Sequence, residues 1–271
     1  MKTRSRFAIA MIAMLAMSTS FAQSDVEDPN EVLKIAALEA LISAPPERAL
    51  PLVMKVLDAD NTDEVKERAL FVLSQIDMPE AQNRLLDVAR SGDSELSEEA
   101  IRMIGIGGNE EAMAGLASLY ESGNQDTREA ILEAYMIAGD VEAVNTIAVN
   151  ADSAEEFEDA VEMLGIMGAI DELRALSQSS GYTEELIEAL GIAGGDDVNA
   201  TLMDIYRNAD TDDIREAALE GMLISGHDEG VLELYREATE VEEKRELLET
   251  LGYMGSDLMM EVIDEALVGG Q

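Results

Sequence analysis

EDAVEMLGIMG at residues 158–168 and EELIEALGIAG at 184–194 are two copies of one pattern, and RELLETLGYMG at 245–255 is a third. On either side, EEAIRMIGIGG (98–108), EAILEAYMIAG (129–139) and EAALEGMLISG (216–226) keep it, while ERALFVLSQID (67–77) and KIAALEALISA (34–44) are its earliest forms. From Asp77 to Gly255 the closing positions succeed one another at intervals of 26 to 32 residues. Self-similarity at such a period marks an array of stacked units, each too small to bury its apolar face alone.

The unit can be read residue by residue. Apolar side chains recur at helical spacing, as in Val65, Ala69, Leu73 and Ile76, which puts them on one face of a helix that must be covered. The closing glycine suits the left-handed position that ends a helix, where a Cβ is penalised. The residues just after each closing position are acidic or turn-forming, as in Asp77-Met78-Pro79-Glu80 and Asp140-Val141-Glu142. Such residues favour the start of a second helix through its free N–H groups and dipole. Those second helices run through RLLDVA, AGLASLY, NTIAV, ATLMDIY, VLELY and MMEVIDEAL. The expected unit is a pair of short antiparallel helices, and the expected fold is an all-α solenoid of about seven to eight such pairs.

The endings Leu164-Gly165-Ile166-Met167-Gly168, Leu190-Gly191-Ile192-Ala193-Gly194 and Leu251-Gly252-Tyr253-Met254-Gly255 resemble the HEAT-repeat family, specifically its short PBS-lyase HEAT-like variety. The resemblance covers about residues 30–268 and draws its specificity from repetition. It implies an α-solenoid with the Gly-terminated helices lining the concave side. The family's basic residue near the start of that helix is present as Lys66, Arg128, Arg215 and Lys244 but replaced by Ser97, Phe157 and Thr183 elsewhere, which breaks any continuous Asp–Arg ladder. The tetratricopeptide alternative lacks its Trp, its regular period and its Pro terminators.

With the closing residue as a common mark, the position ten before it reads Glu67, Glu98, Glu129, Glu158, Glu184, Glu216 and Arg245. Six before it stand Phe71, Arg102, Glu133, Glu162, Glu188, Glu220 and Glu249. These positions are four apart, so they neighbour each other on one helix face, opposite core anchors such as Ala69, Ala100 and Ala160. If the units stack in register, two rows of carboxylate run along the concave surface. Glu129, Glu133, Glu158, Glu162, Glu184, Glu188, Glu216, Glu220 and Glu249 are the candidate partner-binding residues. The sign alone says little, because the chain holds 58 Asp plus Glu against 18 Lys plus Arg. A plain solvated face is the competing reading.

A net charge of −40 excludes a nucleic-acid binder that works by neutralising phosphates. With 47% hydrophobic residues the chain still has enough apolar side chain to fold. There is no Cys and no Trp, which removes disulfides, thiol nucleophiles and Cys-based metal sites. The single His, His227, comes directly after Gly226 where Asp140 stands in another unit and reads as a turn residue, not as a catalytic base. The acidic turn from Asp58 fails as an EF-hand, with Asp63 where Gly is needed and Ala69 where the bidentate Glu belongs. Asn199-Ala200-Thr201 reads as a chance glycosylation match. Met103, Met163 and Met167 fall at core spacing and read as gap fillers.

Residues 1–22 read as a signal peptide. Lys2, Arg4 and Arg6 precede an apolar stretch from Phe7 to Met17 that is too short to span a bilayer, and Ser20 and Ala22 supply a cleavage site. Residues 23–271 are then a single repeat domain in the periplasm, more acidic still once the basic leader is gone. The expected function is an exported, non-enzymatic interaction scaffold whose acidic concave surface holds a basic or extended protein segment in the cell envelope. No cofactor, metal site, nucleic acid or stable membrane insertion is expected, and divalent cations could bind loosely along the glutamate rows. Two alternatives stand beside it: a carboxylate-based hydrolase on an α/α toroid, and a salt-adapted structural protein without a specific ligand.

Overall fold

A computed structural model describes residues 28–91 and 94–268, so the signal segment and its cleavage point lie outside the described residues. Among these residues there are sixteen helices and no strand, forming eight consecutive pairs. The pairs are α1 (Pro29–Leu41) with α2 (Pro46–Asp58), α3 (Asp63–Ser74) with α4 (Pro79–Ala89), α5 (Ser94–Gly107) with α6 (Glu110–Ser122), and α7 (Gln125–Ala138) with α8 (Val141–Asn150). They continue as α9 (Ala154–Ile166) with α10 (Ile170–Ser180), α11 (Glu184–Ala193) with α12 (Asp196–Asn208), α13 (Asp212–Ser225) with α14 (Asp228–Glu237), and α15 (Val241–Met254) with α16 (Leu258–Val268). This is the α-solenoid that the repeat pattern requires.

Local chemistry sets the helix ends. Gly108, Gly139, Gly168, Gly226 and Gly255 close the first helices with φ between 61° and 73°. Gly194 also has a positive φ of 65° but an extended ψ of −171°, because Gly195 comes next and shares the turn. Second helices start on side-chain caps where the sequence offers them: Asn109 accepts from the Glu111 and Ala112 amides, and Asp140 from Ala143. His227 occupies the matching N-cap position before α14, with Nε2 3.4 Å from Met203 Sδ. It is a turn residue packed on the neighbouring unit.

The core lies between two layers, the odd-numbered helices on one side and the even-numbered on the other. Eight and four residues before each closing mark stand Ala69 and Leu73, Ala100 and Ile104, Ala160 and Leu164, Leu186 and Leu190, all at 0–1% exposure. Met103 and Met163 are buried among them as fillers, and Met167 leans on the core. Each buried Leu or Ile contributes about 1.5–3 kcal/mol, and every unit shares its layer with its neighbours, so stability is additive along the stack.

The two layers are not equally spaced. A Cβ added at Gly105 on α5 would lie 2.6 Å from the Ala134 carbonyl oxygen on α7; at Gly165 on α9, 2.7 Å from that of Ala189 on α11; at Gly191 on α11, 2.7 Å from Gly221 Cα on α13. At these junctions the odd-numbered helices meet backbone to backbone, whereas the even-numbered ones touch each other far less. A stack with one layer drawn tight curves towards that layer, which places the odd helices on the concave side. Two junctions are looser, α7 to α9 and α13 to α15. There the glycine three before the mark is replaced by Met136 and Leu223.

The scattered basic residues near the helix starts form no ladder, and Arg128 fills one of these looser junctions. Arg128 donates from Nε to the Tyr120 carbonyl at 3.1 Å, sits 5.4 Å from that ring's centre and reaches Glu156 at 3.8 Å. Lys244 lies 5.0 Å from the centre of the Tyr235 ring. In the tight α5 to α7 region Ser97, at the same register as Arg128, donates to the Ala89 carbonyl at 2.5 Å, so a small hydroxyl replaces the long cation.

In an exposed helix interior, Gly→Ala stabilises by about 1 kcal/mol. G165A and G191A are expected to do the reverse, lowering stability by about 1–3 kcal/mol through overpacking, measured as a lower urea midpoint by circular dichroism. G252A, where the added Cβ meets only Met259 Sδ at 3.5 Å, serves as the neutral or stabilising control.

Candidate functional site

The glutamate positions lie on the odd helices, and none of the nine candidates is buried. Glu129 and Glu133 stand on α7, Glu158 and Glu162 on α9, Glu184 and Glu188 on α11, Glu216 and Glu220 on α13, and Glu249 on α15. They turn away from the core because the opposite stripe of each helix is the apolar one.

Electrostatic coupling passes from unit to unit along this face. The Glu133 carboxyl is pushed up from its ordinary value by partial burial first, is pulled back by Arg102, and is pushed up again by Glu129 and by Glu98 on the preceding unit. Glu188 is raised by partial burial, then by Glu220 one unit on, Glu158 one unit back, and Glu185. Asp159 joins the halves. Burial pushes it up to about 6, with Glu129 across the α7 to α9 junction the largest charge acting on it, ahead of Glu155, Glu158 and Glu156. The run Glu98, Glu133, Glu129, Asp159, Glu158, Glu188, Glu220 therefore forms one chain of mutually repelling carboxylates over five consecutive odd helices. Glu67 is raised in the same way by burial and by Glu99, Asp63, Glu95 and Glu64.

Relief of this repulsion is local. Gln125 Nε2 donates to Glu129 at 3.1 Å and to Glu155 at 2.9 Å, tying two carboxylates across the looser junction with a neutral amide. Arg102 is held by Glu99 at 2.5 Å and lines a cleft of about 210 Å³ with Glu98, Asp126, Glu129 and Glu133. Glu249 does not share in the row. Arg245 occupies the position ten before that mark and binds Glu249 at 2.9 Å and Glu242 at 3.0 Å. The acidic rows thus run from α5 to α13 and are neutralised at α15.

Asp159 and Gln125 belong to neither glutamate column. Asp159 is adjacent to Glu158 and nine before its mark, a mixed register that holds Glu99, Glu185 and Glu246 but also Arg68, Ala130 and Ala217, so the repeat pattern alone does not single it out. Its neighbours across the junction become visible only in the fold. Among the described residues, no three His, Asp or Glu converge as a metal centre requires, and no helix is long and apolar enough to cross a membrane.

Similarity to known proteins is confined to the repeat. The model for HEAT repeats matches residues 20–102 and again 56–136. No curated protein matches the chain at a significant level. Among solved structures, the chain is similar to the complex of CpcE and CpcF of phycocyanin lyase from Nostoc sp. PCC7120, at 17% identity, covering 91% of this chain and 97% of that one with a TM-score of 0.41. Human deoxyhypusine hydroxylase in complex with glycerol is 14% identical, with 83% and 98% covered and a TM-score of 0.34. An engineered protein is 18% identical, with 90% and 78% covered and a TM-score of 0.33.

Because the Asp159 value is raised in the folded state, its protonated form favours folding. Its contribution is present below the unfolded value near 4 and is lost as pH rises through about 6. D159N is expected to raise the melting temperature at pH 7 by about 2–4 °C, corresponding to roughly 1 kcal/mol after discounting for solvent screening. The difference from the parent should vanish below pH 4, and calorimetry across that range checks it.

Proposed function

We propose that this chain, matched by the model for HEAT repeats over residues 20–136 and built of consecutive helix pairs beyond them, is an exported, non-enzymatic interaction scaffold. Its acidic concave face holds a basic or extended protein segment in the periplasm. Stacked helix pairs present a long continuous surface suited to protein partners. The leader at residues 1–22 supports export.

The observation that carries the reading is the coupled carboxylate run from Glu98 to Glu220. Like charges at i, i+4 cost a few tenths of a kcal/mol per pair, and an unconstrained surface would intersperse Lys to remove that cost. Here Glu133 and Asp159 are instead half-buried and Glu188 stands exposed between Glu158 and Glu220, and all three hold their protons more tightly than usual. A face strained in this way gains from any cation that settles on it, because each bound ammonium or guanidinium relieves several repulsions at once. The charge also steers a basic segment towards the surface before contact.

The test is fluorescence anisotropy with a labelled Lys- and Arg-rich peptide at rising salt. Binding should weaken at least tenfold between about 0.05 and 0.5 M salt as the Debye length contracts. The variant E133Q/E162Q/E188Q/E220Q should bind at least tenfold more weakly at low salt while melting at or above the parent temperature. Unchanged binding by that variant would overturn the acidic-surface reading.

A further inference from the structure

A third column stands beside the two glutamate rows. Two positions before each closing mark, the chain reads Ile42, Gln75, Ile106, Ile137, Ile166, Ile192, Ile224 and Tyr253. Six of eight are isoleucine, and this register faces out. Ile42, Ile106, Ile224 and Tyr253 are 46%, 43%, 48% and 80% exposed, and Ile137, Ile166 and Ile192 are half-buried. Of the six isoleucines, Ile166 alone packs against the core; the core does not call for the others, since the positions four and eight before the mark already fill it. Helix propensity does not call for them either, because β-branched residues are mildly unfavourable there and a polar residue would be better solvated.

The column lies four residues beyond the second glutamate row, so it is next on the same helix face. Four successive odd helices carry the complete set: Glu129, Glu133 and Ile137 on α7; Glu158, Glu162 and Ile166 on α9; Glu184, Glu188 and Ile192 on α11; Glu216, Glu220 and Ile224 on α13. The far side of the stripe is acidic too, because the second helices open with Glu142, Asp171, Glu172, Asp196, Asp197, Asp228 and Glu229. Ile106 shows the arrangement in space: it lines a cleft of about 610 Å³ with Gln75, Asp77, Glu110 and Glu111. Exposed apolar side chains aligned in a row and bordered by one sign of charge mark a contact surface.

We infer that this stripe docks the apolar edge of a cationic segment bound in an extended, polyproline-II-like conformation, with an apolar side chain at every third residue and Lys or Arg between. The inference rests on the acidic-scaffold reading and adds what selects the partner. Charge complementarity names the flanks: basic residues on both sides of the apolar edge meet the glutamate rows and the acids that open the second helices. The pitch names the conformation. Packed helices lie about 8–10 Å apart, and a polyproline-II segment repeats one edge every ~9 Å, so each third residue meets the next isoleucine. A segment of about ten residues spans the four complete units. The apolar row supplies the part of the binding that salt does not screen, and the carboxylates supply the rest.

Two peptides of equal charge, (Leu-Lys-Lys)5 and (Ser-Lys-Lys)5, test this by anisotropy against the full repeat domain. The leucine peptide is expected to bind at least tenfold more tightly and to keep that advantage at about 0.5 M salt, where screening removes most of the charge attraction. I106S/I224S, at positions nearly half exposed, and then I137S/I192S should erase the advantage and leave the serine peptide's binding unchanged. Equal binding of the two peptides would overturn the apolar stripe while leaving the acidic face standing, and failure of both would overturn both. A Lys/Leu peptide of the same composition, with leucines at helical spacing, binding more tightly than the every-third peptide would overturn the extended geometry.

Discussion

The whole arrangement depends on how closely neighbouring concave helices approach one another. At Gly105, Gly165 and Gly191 the backbone of one helix rests against the backbone of the next, with no room for a Cβ. Close packing of this kind has one register, because sliding by a residue would drive a side chain into the space the glycine leaves open. Register is what turns a residue repeated in each unit into a row. The glutamate columns, the isoleucine column and the coupling of Glu188 to Glu158 and Glu220 are consequences of that contact.

The same constraint sets the electrostatic cost. Holding helices tightly brings carboxylates from successive units within reach of each other and partly removes them from water, which raises Glu188 within the tight block. At α7 to α9, where Met136 replaces the glycine, the gap is wider and is filled by Arg128, Tyr120 and Glu156, with Gln125 bridging above. Asp159 sits at that joint and is the most strongly perturbed carboxylate resolved. The fold thus holds repulsion that apolar burial elsewhere offsets.

Much of this is legible in the order of residues. The closing glycines mark the helix ends, the period marks the pairs, and the columns ten and six before the mark identify the outward glutamates from Glu129 to Glu220. Physical reasons account for the rest. The charges acting on Asp159 come partly from α7, and no sequence spacing encodes a distance across a junction. Glu249 belongs to the row by its column, yet Arg245 one turn earlier neutralises it. The isoleucines two before the mark are visible as letters, but an apolar residue in an apolar array reads as core until its exposure is known. At the two loose junctions Met136 or Leu223 stands where the tight ones have glycine, but Leu41 and Ser74 hold that position at closer junctions, so its meaning depends on the partner helix.

The central claim is that successive concave helices hold one register, so that marks borne by each form a continuous surface. The chain has no cysteine, so spin labels can be placed singly and in pairs at 162, 188 and 220 without removing native thiols. Dipolar electron paramagnetic resonance should give about 8–10 Å for each adjacent pair and about 16–20 Å for the outer pair, each as one narrow distribution. Broad or overlapping distributions, or an outer distance no longer than the adjacent ones, would contradict the account.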